Sequence, residues 1–353
     1  AVSTAMIFGL VSLMFLDTSI NMAMQPFKMM VGDMVNEKQK GLAYSIQSFL
    51  CNAGSLVGFL FPFIFTWIGI SNIAPQGVVP DSVIYSFYIG AAILILCVIY
   101  TTVKVKEMPP AEYAEYHGIT EEEKKEKINM VKLLVKAPKA FWTVGLVQFF
   151  CWFAFMFMWT YTNGSVAANV FDAPTVETVV NGANKVVLDT KSIQYQNAAD
   201  WVGVLFAVQA IGSVLWAVCI PMFKNRKLIY SLSLILGGIG FISTYFVHNQ
   251  YVLFISFLLI GCAWAAMLAL PFTILTNALS GGHMGTYLGL FNGTICIPQI
   301  VAATLGGSIL ALFTPKGMLP PEINMLVMAG VMLIIGAVCV YLIKETKGEQ
   351  AKT

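Results

Sequence analysis

The sequence predicts an all-α integral membrane protein, and three observations carry that reading. Of its 353 residues, 58% are hydrophobic and only 11% are charged, against about 25% charged in an ordinary soluble domain. Mean hydropathy is +0.77. The apolar residues gather into long runs, and a helix needs roughly 20 such residues to cross a bilayer. This composition excludes a soluble enzyme, a disordered chain and a nucleic-acid binder. A net charge of +2 is too small to imply a polyanionic partner.

Nine runs are long and apolar enough to span: about 3–33, 42–70, 82–103, 140–168, 199–223, 227–247, 251–276, 284–313 and 322–343. Several exceed the minimum, which predicts tilted or extended helices. Pro26, Pro62, Pro221, Pro271 and Pro298 fall inside these runs. Membrane helices tolerate them where neighbours satisfy the freed backbone.

Charge assigns the sides. Seventeen of the 20 basic residues fall on one side: Lys28, Lys38 and Lys40, eight lysines between 104 and 139, then Lys224, Arg226 and Lys227, then Lys344, Lys347 and Lys352. Lys185, Lys191 and Lys316 fall on the other. The positive-inside rule makes the first side cytoplasmic. Nine spans then need an outside N-terminus and a cytoplasmic C-terminus, in a multi-pass protein of the cell membrane. Ala1 opens almost directly into a span, with no initiator Met, basic region or cleavage pattern. The expectation is a fragment whose earlier part is missing.

Two loops carry structure of their own. Residues 104–139 form a charged cytoplasmic loop, with a capping-box pattern at Thr120 and Glu123 ahead of a basic amphipathic stretch from Ile128 to Val135. That pattern predicts a short helix along the membrane face. Residues 171–198 form a polar outer loop, where Asn181-Gly182 followed by alternating residues predicts a small hairpin.

Ionisable groups inside spans are functional candidates. Asp17 is the one carboxylate deep within a span; Asp33, 16 residues later, is about 24 Å further along the axis and reaches the cytoplasmic edge. At 100° per residue, Asp17, Asn21, Gln25 and Lys28 share one stripe. Asp17 and Lys28 stand about 16 Å apart along it, too far to pair. Such a stripe faces a bundle interior or a wet cavity, although Lys28 is also placed to snorkel to the interface.

The fourth run places Gln148, Trp152, Phe155, Trp159 and Thr162 on one face. An amide among indoles suits an amphipathic ligand such as a sugar, which stacks C–H groups on rings and gives its hydroxyls to amides. The competing reading is an aromatic packing face. Gln209, Ser213 and Trp216 share another face, as do Ser48, Asn52 and Ser55, and Asn292, Cys296 and Gln299. These either line a common cavity or bond helices together. Gly54, Gly58, Gly306 and Gly307 are expected to permit close helix packing.

Catalytic signatures are missing: there is no Walker loop, GxSxG elbow, HExxH or dinucleotide-binding glycine pattern. The seven cysteines lie in apolar stretches without a CxxC pair, which speaks against disulfides or a zinc site. The three histidines fall near loops. No enzyme activity, metal or cofactor is expected.

The run Asp17-x-x-x-Asn21-x-x-x-Gln25-Pro26-x-Lys28, with Gly32-Asp33 after it, resembles the fourth helix of sucrose-type glycoside transporters of the major facilitator superfamily. Leu146 to Phe150 with Trp152 to Phe155 resembles their seventh helix. Gly261-x-Ala263-Trp264-Ala265, Pro271, Gly285-x-Tyr287-x-Gly289-x-Phe291-Asn292 and Ile297-Pro298-Gln299 resemble the tenth and eleventh. Lys28 stands where the family has Arg, keeping the charge but losing the planar fork, and Gln25 replaces a Gly. The resemblance implies a twelve-helix fold of which nine helices are present. Residues 1–103 would be the remnant of the N-terminal bundle, 104–139 the central loop, 140–343 the six-helix C-terminal bundle and 344–353 a cytoplasmic tail. It implies a monomeric proton symporter for a disaccharide or other glucoside, with Asp17 the coupling carboxylate and Asn21, Lys28, Gln148, Trp152, Asn292 and Gln299 binding sugar. Sodium coupling, as in melibiose-type symporters, is the alternative within transport; a sensor that does not translocate is the alternative outside it.

Overall fold

The computed structural model describes residues 4–36, 38–70, 79, 81–106, 109, 111, 112, 115, 130–180, 183–279, 284–315 and 317–343. The expected capping box at Thr120–Glu123, the Asn181–Gly182 turn and the tail 344–353 lie outside them.

All nine predicted spans are helical. They are α1 (Thr4–Met34), α2 (Lys40–Trp67), α3 (Asp81–Lys104), α5 (Lys139–Asn169), α6 (Ile193–Cys219), α7 (Arg226–Ser243), α8 (Leu253–Ala278), the pair α9 (Met284–Phe291) and α10 (Gly293–Phe313), and α11 (Ile323–Cys339). Among the described residues eight spans are long and apolar enough to cross a membrane. The short α4 (Met130–Lys136) realises part of the amphipathic stretch. The outer loop forms a hairpin, β1 (Thr175–Val180) antiparallel to β2 (Ala183–Leu188), with Val180 opposite Ala183.

Local chemistry sets the helix ends. Ser192 Oγ accepts the N–H of Tyr195, and Asn225 Oδ1 accepts that of Leu228 at 3.0 Å. Each satisfies an N–H that the first turn would leave open. The break between α9 and α10 splits what the sequence predicts as one span. At that point the Asn292 N–H is shared between the carbonyls of Leu288 and Gly289, both at 3.2 Å. The Thr294 hydroxyl takes the Phe291 carbonyl at 2.7 Å, and Pro298 offers no N–H to the turn below.

Helices α5 to α11 form one bundle around a core that includes Val147, Phe155, Leu205, Tyr230, Phe241, Ala266, Met325 and Leu333. Several of its close approaches bring glycine against main chain. A methyl at Gly261 would overlap the Gln209 carbonyl on α6, one at Gly212 would meet the Leu258 carbonyl on α8, and Gly238 and Gly330 face each other across α7 and α11. Van der Waals contact and small residues drive association where lipid is as apolar as leucine. The glycines expected to do this mostly do not: Gly54, Gly58 and Gly307 meet nothing within 4 Å, and Gly306 alone is crowded, by the Tyr161 hydroxyl. Spacing marks a small residue on a helix but not whether a neighbour faces it. Gly261→Ala should therefore destabilise by about 1–3 kcal/mol through overpacking. Gly90→Ala, with open space around it, should be neutral or stabilising; melting in detergent compares them.

Helix α2 lies against α6 and α8, joining the first three helices to the bundle. Phe59 meets Phe206 at 5.9 Å between ring centroids, and the Ser48 hydroxyl donates to the Ala265 carbonyl at 3.4 Å. The outward side of α3 is bare, with Phe87 71% exposed, as expected of a face toward lipid. Lys40, Lys104, Lys136, Lys139, Lys224 and Arg226 all fall at one end of the helices, the lysine-rich end, with the hairpin at the other.

Candidate functional site

Helix α1 touches the bundle toward its lysine-rich end and stands away from it further up, where Phe8 to Leu16 are exposed. Lys28 Nζ sits 4.2 Å from the Phe272 ring centroid on α8. Phe272 also stacks on Tyr44 of α2 at 6.3 Å, and the Tyr44 hydroxyl donates to the Lys28 carbonyl at 3.3 Å. One ring thus gathers α1, α2 and α8. The cation–π contact gains strength because the ammonium is partly desolvated. Above it lies a wedge between α1 and the bundle.

Asp17 is exposed on the α1 side of this wedge, close enough for its charge to be felt at Cys296 on α10. Asn21 is half-buried, and its Nδ2 donates to the Asp17 carbonyl at 2.9 Å. Across the wedge, Asn292 lies in the break between α9 and α10. Among the described residues its Nδ2 reaches only Cys296 Sγ, at 3.8 Å, and its buried Oδ1 has no partner. Gln299 is half-buried two turns further on.

The indoles form the second part. Trp152 and Trp159 on α5 are seven residues apart and meet at 6.4 Å. Trp264 on α8 stands 5.7 Å from each, edge-on to both rings. Phe155 backs the group, 4.8 Å from Trp264. Trp152 is 9% exposed, Trp159 44%. The cluster is closed behind and open in front. Among the described residues buried Trp152 Nε1 has no acceptor, and buried indole N–H groups normally find one. An unpaired donor beside an open aromatic face is an arrangement that a hydroxylated ligand completes.

Gln148 stands apart from both groups. It is fully buried inside the bundle, its Nε2 donating to the Met267 carbonyl and its Oε1 accepting from the Tyr230 hydroxyl, each at 3.4 Å. Trp216 likewise donates within the bundle, to Ser233 Oγ at 2.8 Å. Asn52 Nδ2 bonds the Ser48 carbonyl at 2.6 Å and leaves its Oδ1 unpaired between α2 and α8.

Two residues fall outside the candidates that the sequence offers. Trp264 is visible in the tenth-helix motif, but nothing in its spacing ties it to α5. Glu322, directly before α11, turns out to be partly buried against α5; the only signal is an acid after Pro320 and Pro321. Among the described residues no group of three or more His, Cys, Asp or Glu is placed to hold a metal ion.

The family model described as Major Facilitator Superfamily matches the chain twice, over residues 2–182 and 166–353. No curated protein matches it.

Proposed function

Because the chain belongs to the major facilitator superfamily, whose members are secondary transporters, we propose that it carries a sugar, a disaccharide or other glucoside, together with a proton. The observation that carries this reading is the open indole cluster of Trp152, Trp159 and Trp264 with its unpaired Trp152 Nε1. A pyranose offers an apolar C–H face to the rings and a hydroxyl oxygen to the N–H. Asn292 Oδ1 then accepts a hydroxyl proton from the α10 side, and Asn21 and Gln299 offer amides at the wedge.

Asp17 supplies coupling. A carboxylate in a membrane wedge is costly when ionised, so its protonation favours the arrangement in which the wedge closes over it. A ligand shifts such an equilibrium by its differential affinity for the two states. Substrate held between two halves that rock about it is the general scheme for such folds. Lys28 on Phe272 closes the lysine-rich end in this arrangement, and Gln148, whose amide is taken up inside the bundle, holds α5 in place under the indoles.

Proteoliposomes containing the protein should accumulate labelled glucoside when an inward proton gradient is imposed. Accumulation driven by a sodium gradient alone would assign the coupling ion to sodium. Binding without uptake under either gradient would identify a sensor.

A further inference from the structure

We propose that Glu322 is a proton-binding group at the hairpin end of the bundle, holding a proton while α5 and α11 are packed and releasing it when that contact opens to water. Its carboxylate lies in a notch in α5. A methyl at Gly164 would overlap both carboxylate oxygens and the carbon between them. Only glycine leaves room for an acid there.

The notch explains the proton. The side of a helix presents carbonyl lone pairs but no free N–H, because interior N–H groups are spent on the helix itself. A carboxylic acid can donate to that surface; a carboxylate finds no donor. Glu322 makes no capping bond to the first turn of α11, and among the described residues its carboxylate has no hydrogen-bond or ion-pair partner. The N-terminal end of α11 favours the charged form. Burial opposes this and wins, raising the Glu322 carboxyl to about 7.

The ionisable neighbours do not supply a cation. On α5 the near one is Tyr161, whose hydroxyl points at Gly306 of α10. Cys151 and Lys139 stand about 20 and about 38 Å away along α5. Helices α10 and α11 carry only Cys296 and Cys339, about 15 Å from Gly306 and about 25 Å from Glu322 along their axes. Helix α7, packed on α11, carries Arg226, Lys227 and Tyr230, about 26, 24 and 20 Å from its Ser243 end; Tyr245 and His248, in the turn after it, are exposed. Lys316, in the preceding loop, lies outside the described residues.

The sign follows. The folded carboxyl is raised above its unfolded value, so wild type is at full stability below about 4.5, loses stability as pH rises from there to about 7, and is level above. Glu322→Gln mimics the protonated form and lacks this loss. In purified full-length protein, the two melting temperatures should coincide at pH 4.5 and separate by several degrees above pH 7, with wild type the lower. Infrared difference spectra of wild type should show a protonated carboxyl band that vanishes near neutral pH and is missing in Glu322→Gln. If that variant fails to fold, Gly164→Ala replaces it: filling the notch expels the side chain, and the band should vanish at an ordinary carboxylate pH instead. A melting difference that does not change with pH, or a wild-type band unaffected by either substitution, overturns the proposal. Neither readout requires transport, so failure of the symport reading and failure of this one remain distinguishable.

Discussion

Asp17→Asn abolishes proton-driven accumulation of sugar while leaving binding or exchange. Asn has nearly the same shape and mimics the protonated acid, so the wedge can still close over it, but no proton can be taken up or released. On α1 the remaining acid, Asp33, lies about 24 Å further along at the lysine-rich end. The side chain is exposed and makes no hydrogen bond or ion pair among the described residues, so the substitution breaks no packing and expression should be unchanged. Uptake is measured in vesicles with and without a pH gradient, alongside exchange of labelled for unlabelled sugar. Normal accumulation in the variant would place coupling elsewhere in the protein.

Trp152→Ala should weaken sugar binding by about 1–3 kcal/mol, the scale of a lost buried aromatic contact. In Kd that is roughly 5- to 150-fold. The indole is 9% exposed and leans on Trp159 and Trp264, so truncation removes both a stacking surface and the support of the others. Trp152→Phe keeps a ring but loses the unpaired N–H and part of the stacking surface, and should be milder than the alanine variant. Binding measured on folded protein separates the readings. If Trp152 only packs the bundle, the variant melts earlier and what survives binds with unchanged affinity.

The spans were legible because length and hydropathy are local properties. The hairpin was legible because a two-residue Asn-Gly loop between alternating strands is a local signal as well. On α5, Trp152 and Trp159 could be placed together from the chain alone, since seven residues at 100° bring a helix back to within 20° of its start. What could not be read depends on a partner far along the chain. The acceptor for the Tyr230 hydroxyl is Gln148, 82 residues away. Trp264 completes the cluster from another helix. Glu322 is an ordinary acid in a loop until Gly164 is set against it. The break at Asn292 was hidden for a different reason: apolar residues continue through it, and hydropathy does not register a shared N–H.

The glycine contacts bear on how the protein can move. Where Gly261 rests on the Gln209 carbonyl and Gly212 on the Leu258 carbonyl, no side chain stands between the helices to change rotamer. Sliding at these points would drive main-chain atoms into one another, so α6 and α8 travel as one stiff pair. Displacement is taken up where contact is made by the tips of long side chains, at Phe59 on Phe206, Lys28 on Phe272 and Glu322 in the Gly164 notch. These are the protein's bearings: surfaces that can re-seat in a second position while the α6–α8 pair behind them keeps its shape.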